Sequence, residues 1–247
     1  MDLLIINADD FGYSEGINFG IVSAHKKGIL TSTTMLANMP GFDQGVNLAQ
    51  SCPELGVGVH LTLTCGKPLL NDVPSITDNN SFHPLSFYEE DFSINTEDVY
   101  REWKAQIEKI LQAGIKPTHL DSHHHVNSFI PIKEVFVELA QEYNLPVRNN
   151  FEAESNLKTT NRFSLDLDQL ADEKEVWKPL TIKNLIQDCK TYHSVECMCH
   201  PGFIDQVVLA NSGLRNLRAR TCNELQKEEY KKIFEENNIK LGNYRDI

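Results

Sequence analysis

Four of the chain's nine histidines and an aspartate fall within the nine residues His119–Asn127. Imidazole and carboxylate side chains bind divalent metal ions and transfer protons near neutral pH. Two shorter stretches carry side chains of the same types: the pair Asp9–Asp10 near the start of the chain, and His60 between the other two. We therefore expect the three stretches to converge on one divalent metal ion.

The adjacent carboxylates of Asp9 and Asp10 directly follow an apolar run, Leu3–Ala8, which predicts a buried parallel strand. Two like charges side by side repel each other unless a cation or strong hydrogen-bond donors offset them. This favours a functional pair, in which one carboxylate binds the metal and the other is free to act as a base. The alternative is a helix N-cap with a solvated neighbour, because a helix is predicted shortly after the pair.

His60 lies in the apolar strand predicted at Leu55–Leu63. A single histidine in such a strand is commonly a core residue whose hydrogen bonds are satisfied within the protein. Its position near a strand end, like that of the aspartate pair, favours the other role, that of a metal ligand.

The three consecutive histidines follow a strand predicted at Thr118–Asp121. Side chains alternate along a strand, so Asp121 and His123 share one face while His124 points to the other. His123 is therefore the predicted ligand. Asp121 or His125 is expected to support a ligand or to face the substrate, since ligating histidines usually have a carboxylate or carbonyl partner.

Two further residues stand at predicted strand ends. His200 precedes Pro201–Gly202 and is the expected general acid, the alternative being a simple turn histidine. Arg148 is expected either to orient the carboxylate base or to be an ordinary surface charge. One aspartate and two histidines leave coordination positions open on a metal, as in catalytic sites. Asp9 would then take a proton from a water that attacks a carbonyl, and His200 would protonate the leaving amine.

Strand and helix patterns alternate along the chain, which indicates a parallel sheet covered by helices. The strands are predicted at Leu3–Ala8, Leu30–Leu36, Leu55–Leu63, Thr118–Asp121, Leu145–Arg148, Val195–Cys199 and Ile239–Tyr244. An open doubly wound sheet and a closed (β/α) barrel both fit this order, but no G-x-G-x-x-G motif follows the first strand. The candidate residues lie at the carboxyl ends of different strands, which a barrel brings to one face. We therefore predict a single-domain α/β fold, a deformed (β/α) barrel of seven parallel strands.

Two stretches interrupt this alternation. Residues 64–94 are rich in proline, asparagine and aspartate, and residues 151–180 show no regular pattern. Long connections of this kind are often functional lids, so both are predicted to be insertions beside the active site. Near the end of the chain, a capping-box pattern at Thr221–Glu224 predicts a helix that begins there and extends to Asn238.

The composition restricts the partners of the protein. The formal charge of −12 and the isoelectric point of about 5.2 argue against nucleic acids and anionic membranes as partners, and they suit a neutral or cationic small molecule. No apolar run approaches the roughly 20 residues of a membrane span, and Leu3–Ile6 lacks the basic residues of a signal peptide. The six cysteines form no C-x-x-C pair and indicate reduced thiols. We therefore expect a cytoplasmic enzyme.

Five motifs in this sequence resemble those of the YdjC-like carbohydrate deacetylases, the family that includes the chitooligosaccharide deacetylase. The motifs are NADDFG at 7–12, GILTSTTML at 28–36, GVHLTLTCGKPL at 58–69, KPTHLDSHHHVN at 116–127 and MCHPGFID at 198–205. They occur in the order of the family and extend over most of the chain.

The resemblance implies a deformed (β/α) barrel that removes N-acetyl groups from short amino-sugar oligosaccharides of the chitooligosaccharide type. It implies a metal ion bound by Asp10, His60 and His123, with Asp9 as the base and His200 as the acid. We expect one divalent ion, Mg²⁺ or Zn²⁺, although other transition metals suit the same ligands. The expected partner is a small acetylated oligosaccharide, and a homodimer is also expected.

Two other functions fit the same residues. The first is a metal-dependent hydrolase or isomerase that acts on another small substrate, such as a phosphoester. Against it, no cluster of lysine and arginine residues near the motifs offers a phosphate clamp. The second is a sugar-binding protein without catalytic activity, which would keep its ligand after chelation of the metal and release no acetate.

Overall fold

The apolar segments of the sequence form one parallel sheet, which helices surround. The computed structural model describes residues 1–152, 156–169 and 179–247. The strands are β1 (Asp2–Phe11), β2 (Ser32–Met35), β3 (Gly56–Leu61), β4 (Thr77–Asp78), β5 (Ser81–Phe82), β6 (Leu120–Ser122), β7 (Arg162–Ser164), β8 (Ser194–Cys199) and β9 (Ile239–Leu241). The helices are α1 (Glu15–Lys27), α2 (Phe42–Gln50), α3 (Leu85–Glu89), α4 (Thr96–Gln112), α5 (Ile132–Glu142), α6 (Asp166–Gln169), α7 (Pro179–Tyr192), α8 (Gln206–Asn211), α9 (Asn216–Leu225) and α10 (Glu228–Glu236).

Seven of these strands belong to the central sheet, in which they pair in parallel. Their order is β6-β3-β2-β1-β8-β7, and β9 pairs with the start of β1. Beyond β6, single parallel bridges join Leu120 to Val147 and Val147 to Thr159, which lies shortly before β7. The sheet therefore curls into an incomplete barrel. This confirms the predicted fold class, a deformed α/β barrel of seven parallel strands in a single domain.

The membership of the sheet differs from the prediction at one strand. Within the described residues, Leu145–Arg148 forms only the two isolated bridges of Val147, to Leu120 and to Thr159, because Pro146 has no N–H to donate to a ladder. The seventh strand is instead β7, within residues 151–180, and its three residues are too few to show a periodic pattern. The parts of this predicted insertion at 153–155 and 170–178 lie outside the described residues.

The segment 64–94 contains more regular structure than its composition indicated, namely a short 3₁₀ helix, the β4–β5 hairpin and α3. The carboxylate of Glu102 on α4 accepts hydrogen bonds from the backbone N–H groups of Leu69 and Leu70 at 2.9 and 3.0 Å. Glu102 is fully buried. A buried carboxylate that receives backbone donors fixes the path of the chain, so α4 holds the beginning of this segment in place.

The capping box predicted at Thr221–Glu224 is wrong. Both residues lie inside α9, and α10 begins separately after Lys227. The Glu224 carboxylate accepts hydrogen bonds from Lys227 and Tyr230 instead of from the Thr221 backbone. The capping box observed near this end of the chain belongs to a 3₁₀ turn, between Asn243 and Asp246.

The helices cover the sheet with their apolar faces. Trp103, Ile107 and Ile110 of α4 are fully buried, as are Phe136 and Leu139 of α5. An apolar stripe of this kind places a helix against a sheet and leaves its polar face in water. Across the described part of the chain, no helix combines the length and the apolar character needed to cross a membrane.

Candidate metal centre and its neighbours

Four strands of the barrel deliver the candidate residues to one cavity. β1 carries Asp9 and Asp10, β3 carries His60, and His123 and His200 directly follow β6 and β8. All five side chains line a cavity of about 450 Å³. Because parallel strands in a barrel end at the same face, their carboxyl ends form one site. The structure thus brings together the residues that the sequence singled out.

Asp10, His60 and His123 direct three ligand atoms toward one point. Asp10 Oδ1 lies 3.0 Å from His123 Nδ1 and 3.6 Å from His60 Nε2, and the two ring nitrogens are 3.3 Å apart. Tetrahedral ligands with bonds of about 2.1 Å have similar separations, roughly 3.4 Å. Asp10 Oδ1 is buried and accepts no well-aligned hydrogen bond from the part of the chain that the structure describes, which is unusual for a carboxylate oxygen. The three residues therefore fit a divalent metal ion.

The backbone of Asp10 explains how two adjacent carboxylates line the same cavity. Neighbouring side chains of a regular strand point to opposite faces. Asp10 has a φ of 71°, in the left-handed region, and the register between β1 and β2 shifts between Ala8 and Phe11. A non-glycine residue in this region costs about 1–3 kcal/mol and persists where its surroundings hold it. This irregularity places Asp10 beside Asp9 instead of across the sheet from it.

Arg218 on α9 holds the second oxygen of Asp10. Its Nη2 donates to Asp10 Oδ2 at 2.6 Å, and both side chains are buried. Burial by itself would raise the pKa of Asp10, but the charges of Arg218 and His123 lower this pKa well below its usual value. Asp10 is therefore ionised at neutral pH, with Oδ1 left for a metal. The sequence reasoning missed Arg218, because the residue lies in no recognised motif.

His60 is oriented through its second nitrogen. Asp121 Oδ1 lies 2.7 Å from His60 Nδ1, and the Thr34 hydroxyl donates to Asp121 Oδ2 at 3.0 Å. A carboxylate partner fixes the ring so that Nε2 faces Asp10 and His123, where a metal ion would bind. Burial by itself would lower the pKa of His60, but the carboxylates of Asp121 and Asp9 raise it to about 9. A metal ion that binds His60 would therefore compete with a proton for Nε2.

The three consecutive histidines all line the cavity. The prediction that His124 points away is wrong, because His124 and His125 both have a φ of 55° and the chain turns after β6. Among the described residues, only His123 of the three belongs to a potential metal-binding group. His124 Nδ1 lies 3.0 Å from the hydroxyl of Thr64, and His125 Nδ1 lies 3.3 Å from the side-chain nitrogen of Asn150.

Arg148 occupies the centre of a buried group of carboxylates. Its Nη1 and Nη2 donate to the two oxygens of Asp9 at 2.9 and 2.7 Å. Its Nε donates to Glu196 at 2.9 Å, and Nη2 also lies 2.8 Å from Asp121. Arg148 is fully buried, so the surface-charge alternative is wrong. Burial by itself would raise the pKa of Asp9, but the Arg148 guanidinium holds it well below its usual range. Asp9 is therefore an ionised carboxylate in a fixed orientation.

His200 is paired with a carboxylate that the sequence reasoning missed. Its Nδ1 lies 2.6 Å from Asp168 Oδ2 on the short helix α6. Burial by itself would lower the pKa of His200, but the hydrogen bond and the charge of Asp168 raise it. Asp168 lies in residues 151–180, where no sequence pattern pointed to it. By contrast, Glu196 could have been recognised, because it is the single charged residue of the apolar strand β8.

Comparison with known proteins identifies the family. A family model described as "YdjC-like protein" matches residues 3–236. The chain is 40% identical to a carbohydrate deacetylase of Clostridium beijerinckii, with 99% of each chain covered. It is 38% identical to a chitooligosaccharide deacetylase of Proteus mirabilis, with 99% of this chain and 98% of the relative covered. The names of these relatives confirm the prediction of a hydrolase of the carbohydrate deacetylase class.

Two solved structures resemble the fold. A protein from Enterococcus faecalis V583, described as a candidate cellobiose-phosphate cleavage protein, has a TM-score of 0.89 at 36% identity, with 99% of this chain and 98% of that chain covered. The catalytic domain of a peptidoglycan N-acetylglucosamine deacetylase from Eubacterium rectale has a TM-score of 0.54 at 10% identity, with 97% and 86% covered. The second likeness is one of fold alone. Because the family model matches residues 3–236 and a full-length relative is 40% identical, this chain belongs to the YdjC-like family.

Proposed function

We propose that this protein is a metal-dependent deacetylase that hydrolyses N-acetyl groups of amino-sugar oligosaccharides of the chitooligosaccharide type. One observation carries the proposal: a single cavity contains a potential metal-binding group, an ionised carboxylate and a histidine with a raised pKa. The names of the relatives, carbohydrate deacetylase and chitooligosaccharide deacetylase, support the substrate class.

Each residue of the cavity has a part in this reaction. A divalent ion held by Asp10, His60 and His123, for which Mg²⁺ and Zn²⁺ are both suitable, would acidify a water molecule and polarise the acetyl carbonyl. Asp9 is ionised and therefore able to accept the proton of the attacking water. His200, whose pKa is raised by Asp168, donates a proton to the sugar nitrogen as the C–N bond breaks. The products are acetate and a free amine.

The cavity suits a small neutral substrate. Its volume of about 450 Å³ lies within the range of small-molecule sites. His125 is the lining residue proposed to contact the sugar, while Asp121 and Arg148 support the site without lining the cavity. We also propose, from the sequence, that the protein is cytoplasmic and forms a homodimer.

A phosphoester substrate has less support. Apart from histidines, the one cation among the described residues that line the cavity is Arg218. Its Nη2 is already bonded to Asp10 at 2.6 Å, whereas its Nε and Nη1 have no hydrogen-bond partner among the described residues. A single arginine that already binds Asp10 is a weaker phosphate site than a cluster of arginine and lysine side chains.

Acetate release tests the proposal. Protein loaded in turn with Zn²⁺, Co²⁺, Mn²⁺ or Mg²⁺ is incubated with N-acetylglucosamine dimers and other acetylated oligomers, and acetate is measured enzymatically. We expect turnover that a chelator abolishes. Asp9→Asn should retain the metal and lose activity by about 10²–10⁴-fold, as removal of a general base does. If none of the four metals supports acetate release from any of these oligomers, the proposal is wrong.

A further inference from the structure

The strand β8 carries a buried carboxylate that the proposed reaction does not use. Glu196 is fully buried and lies between apolar neighbours of the strand. Removing a charge from water costs several kcal/mol unless a partner offsets this cost. Neither Glu196 nor Tyr244, to which it is bonded, lines the cavity. Any effect of these two residues on the substrate must therefore pass through another side chain.

The two carboxylate oxygens of Glu196 accept hydrogen bonds from two different residues. Oε1 accepts a hydrogen bond from Arg148 Nε at 2.9 Å and lies 2.8 Å from Arg148 Nη2. Oε2 accepts a hydrogen bond from the hydroxyl of Tyr244. The ring of Tyr244 is itself held, because it stacks on His119 with 3.8 Å between the ring centres and 9° between the planes. Glu196 thus connects a rigid aromatic ring to the guanidinium.

The geometry of the guanidinium transmits this constraint to the proposed base. A guanidinium is planar and its five N–H groups have fixed directions. When Glu196 fixes the Nε–H, the direction of the Nη1 and Nη2 groups is fixed as well, and these groups hold both oxygens of Asp9. A displacement of about 1 Å at a reacting group can cost about 10²-fold in rate.

We infer that Glu196 and Tyr244 are positioning residues, which hold Arg148 in the orientation that directs Asp9 at the attacking water. The inference rests on the proposed function, because it assigns these residues an effect on turnover. The competing explanation is that Glu196 only compensates the buried charge of Arg148 and so contributes to folding alone.

The chain contains a matched control pair outside the barrel. Tyr230 of α10 is buried, and its hydroxyl donates to Glu224 of α9, as that of Tyr244 does to Glu196. Glu224→Gln replaces a carboxylate by an amide, as Glu196→Gln does. Tyr230→Phe removes a hydroxyl group, as Tyr244→Phe does. Neither Glu224 nor Tyr230 lines the cavity.

Steady-state kinetics of the four variants separates the two explanations. We expect Glu196→Gln to lower kcat by about tenfold or more and Tyr244→Phe by about threefold, with KM within about twofold of the wild-type value. Glu224→Gln and Tyr230→Phe should leave kcat within about twofold, even where they lower the unfolding midpoint equally. The inference is overturned if Glu196→Gln is folded and keeps the wild-type kcat. It is also overturned if kcat falls as much in the control variants Glu224→Gln and Tyr230→Phe as in Glu196→Gln and Tyr244→Phe. Should Glu196→Gln fail to fold, Tyr244→Phe decides by the same criteria.

A second measurement needs no turnover and therefore distinguishes failure of the inference from failure of the proposed function. In ¹⁵N NMR spectra, a guanidinium that is held on both edges shows separate Nη resonances, and one that rotates shows averaged resonances. Arg148 is assigned by comparison with Arg148→Lys. We expect slow exchange between the Nη resonances in the wild-type protein and in Glu224→Gln, and faster exchange in Glu196→Gln and Tyr244→Phe, where Asp9 and Asp121 still contact the Nη groups. An exchange rate that stays at the wild-type value in both Glu196→Gln and Tyr244→Phe overturns the inference, whether or not the wild-type protein releases acetate.

Discussion

At the scale of single residues, the partners of Asp9 and His200 give the proposed base and the proposed acid different protonation states. Arg148 favours the ionised form of Asp9, whereas Asp168 favours the protonated form of His200. Two titratable groups whose pKa values are moved apart in this way can act as base and acid at the same pH. The pairing partners are therefore as important to the proposed reaction as the two groups themselves.

The pairing of His200 with Asp168 predicts how the rate depends on pH. The proposed acid must be protonated, so turnover is lost as the pH rises through the raised pKa of His200. Asp168→Asn removes the charge that raises this pKa, so the alkaline limb of the profile should move to lower pH. The measurement is kcat for acetate release across the pH range.

Asp166→Asn is the matched control for this change. Asp166 lies on the same helix, and its carboxylate accepts a hydrogen bond from Asn184 at 2.8 Å instead of facing His200. It should leave the alkaline limb in place. An unmoved limb in Asp168→Asn would contradict the assigned role of His200.

At the scale of secondary-structure elements, Gly58 of β3 packs closely against His119, the residue before β6. A Cβ atom added at Gly58 would lie 2.5 Å from Nδ1 of His119. His119 is fully buried, and burial lowers its pKa to about 3, so its ring is neutral. The same ring supports Tyr244 by stacking. Glycine at position 58 therefore leaves the space that this ring occupies.

A Gly58→Ala substitution tests this packing. We expect it to lower the free energy of unfolding by about 1–3 kcal/mol, the usual cost of overpacking a core. Gly213→Ala serves as the control, because a Cβ atom there meets no atom of the described residues within 4 Å. It should change stability by no more than about 0.5 kcal/mol. Urea unfolding measures both, and equal stability of Gly58→Ala and the wild-type protein would refute the packing argument.

At the scale of the whole molecule, the proposed metal would join three parts of the barrel. Its ligands come from β1, from β3 and from the turn after β6. An ion that binds the folded chain and not the unfolded one stabilises the fold, by about 2.7 kcal/mol at a concentration of 100 Kd. Because His60 has a pKa of about 9 without a metal, affinity should weaken as the pH falls below that value.

Two neighbouring histidines provide the test of this linkage. Addition of Zn²⁺ or Mg²⁺ should raise the unfolding temperature of the wild-type protein and of His124→Ala, whose side chain is exposed. His123→Ala should show no such increase and should lose the bound ion in elemental analysis. Retention of the ion by His123→Ala together with its loss from His124→Ala would refute the ligand assignment.

The sequence by itself determined six of the seven strands of the sheet, their alternation with helices and the residues at the strand ends. These features are local: burial of a parallel strand requires a short apolar run, and Asp9, Asp10, His60, His123 and His200 each lie in or directly after one. The barrel and the convergence of these residues follow from that pattern, because parallel strands end at one face.

Only the tertiary structure decided which side chains hold these residues in place. Arg218 is 208 positions from Asp10, Arg148 is 139 positions from Asp9, and the Glu196–Tyr244 pair is 48 positions apart. Contacts over such distances leave no periodicity in the sequence, since they depend on how whole strands and helices pack. The left-handed backbone conformation of Asp10 also depends on the tertiary structure, because it persists only where the surrounding residues offset its energetic cost.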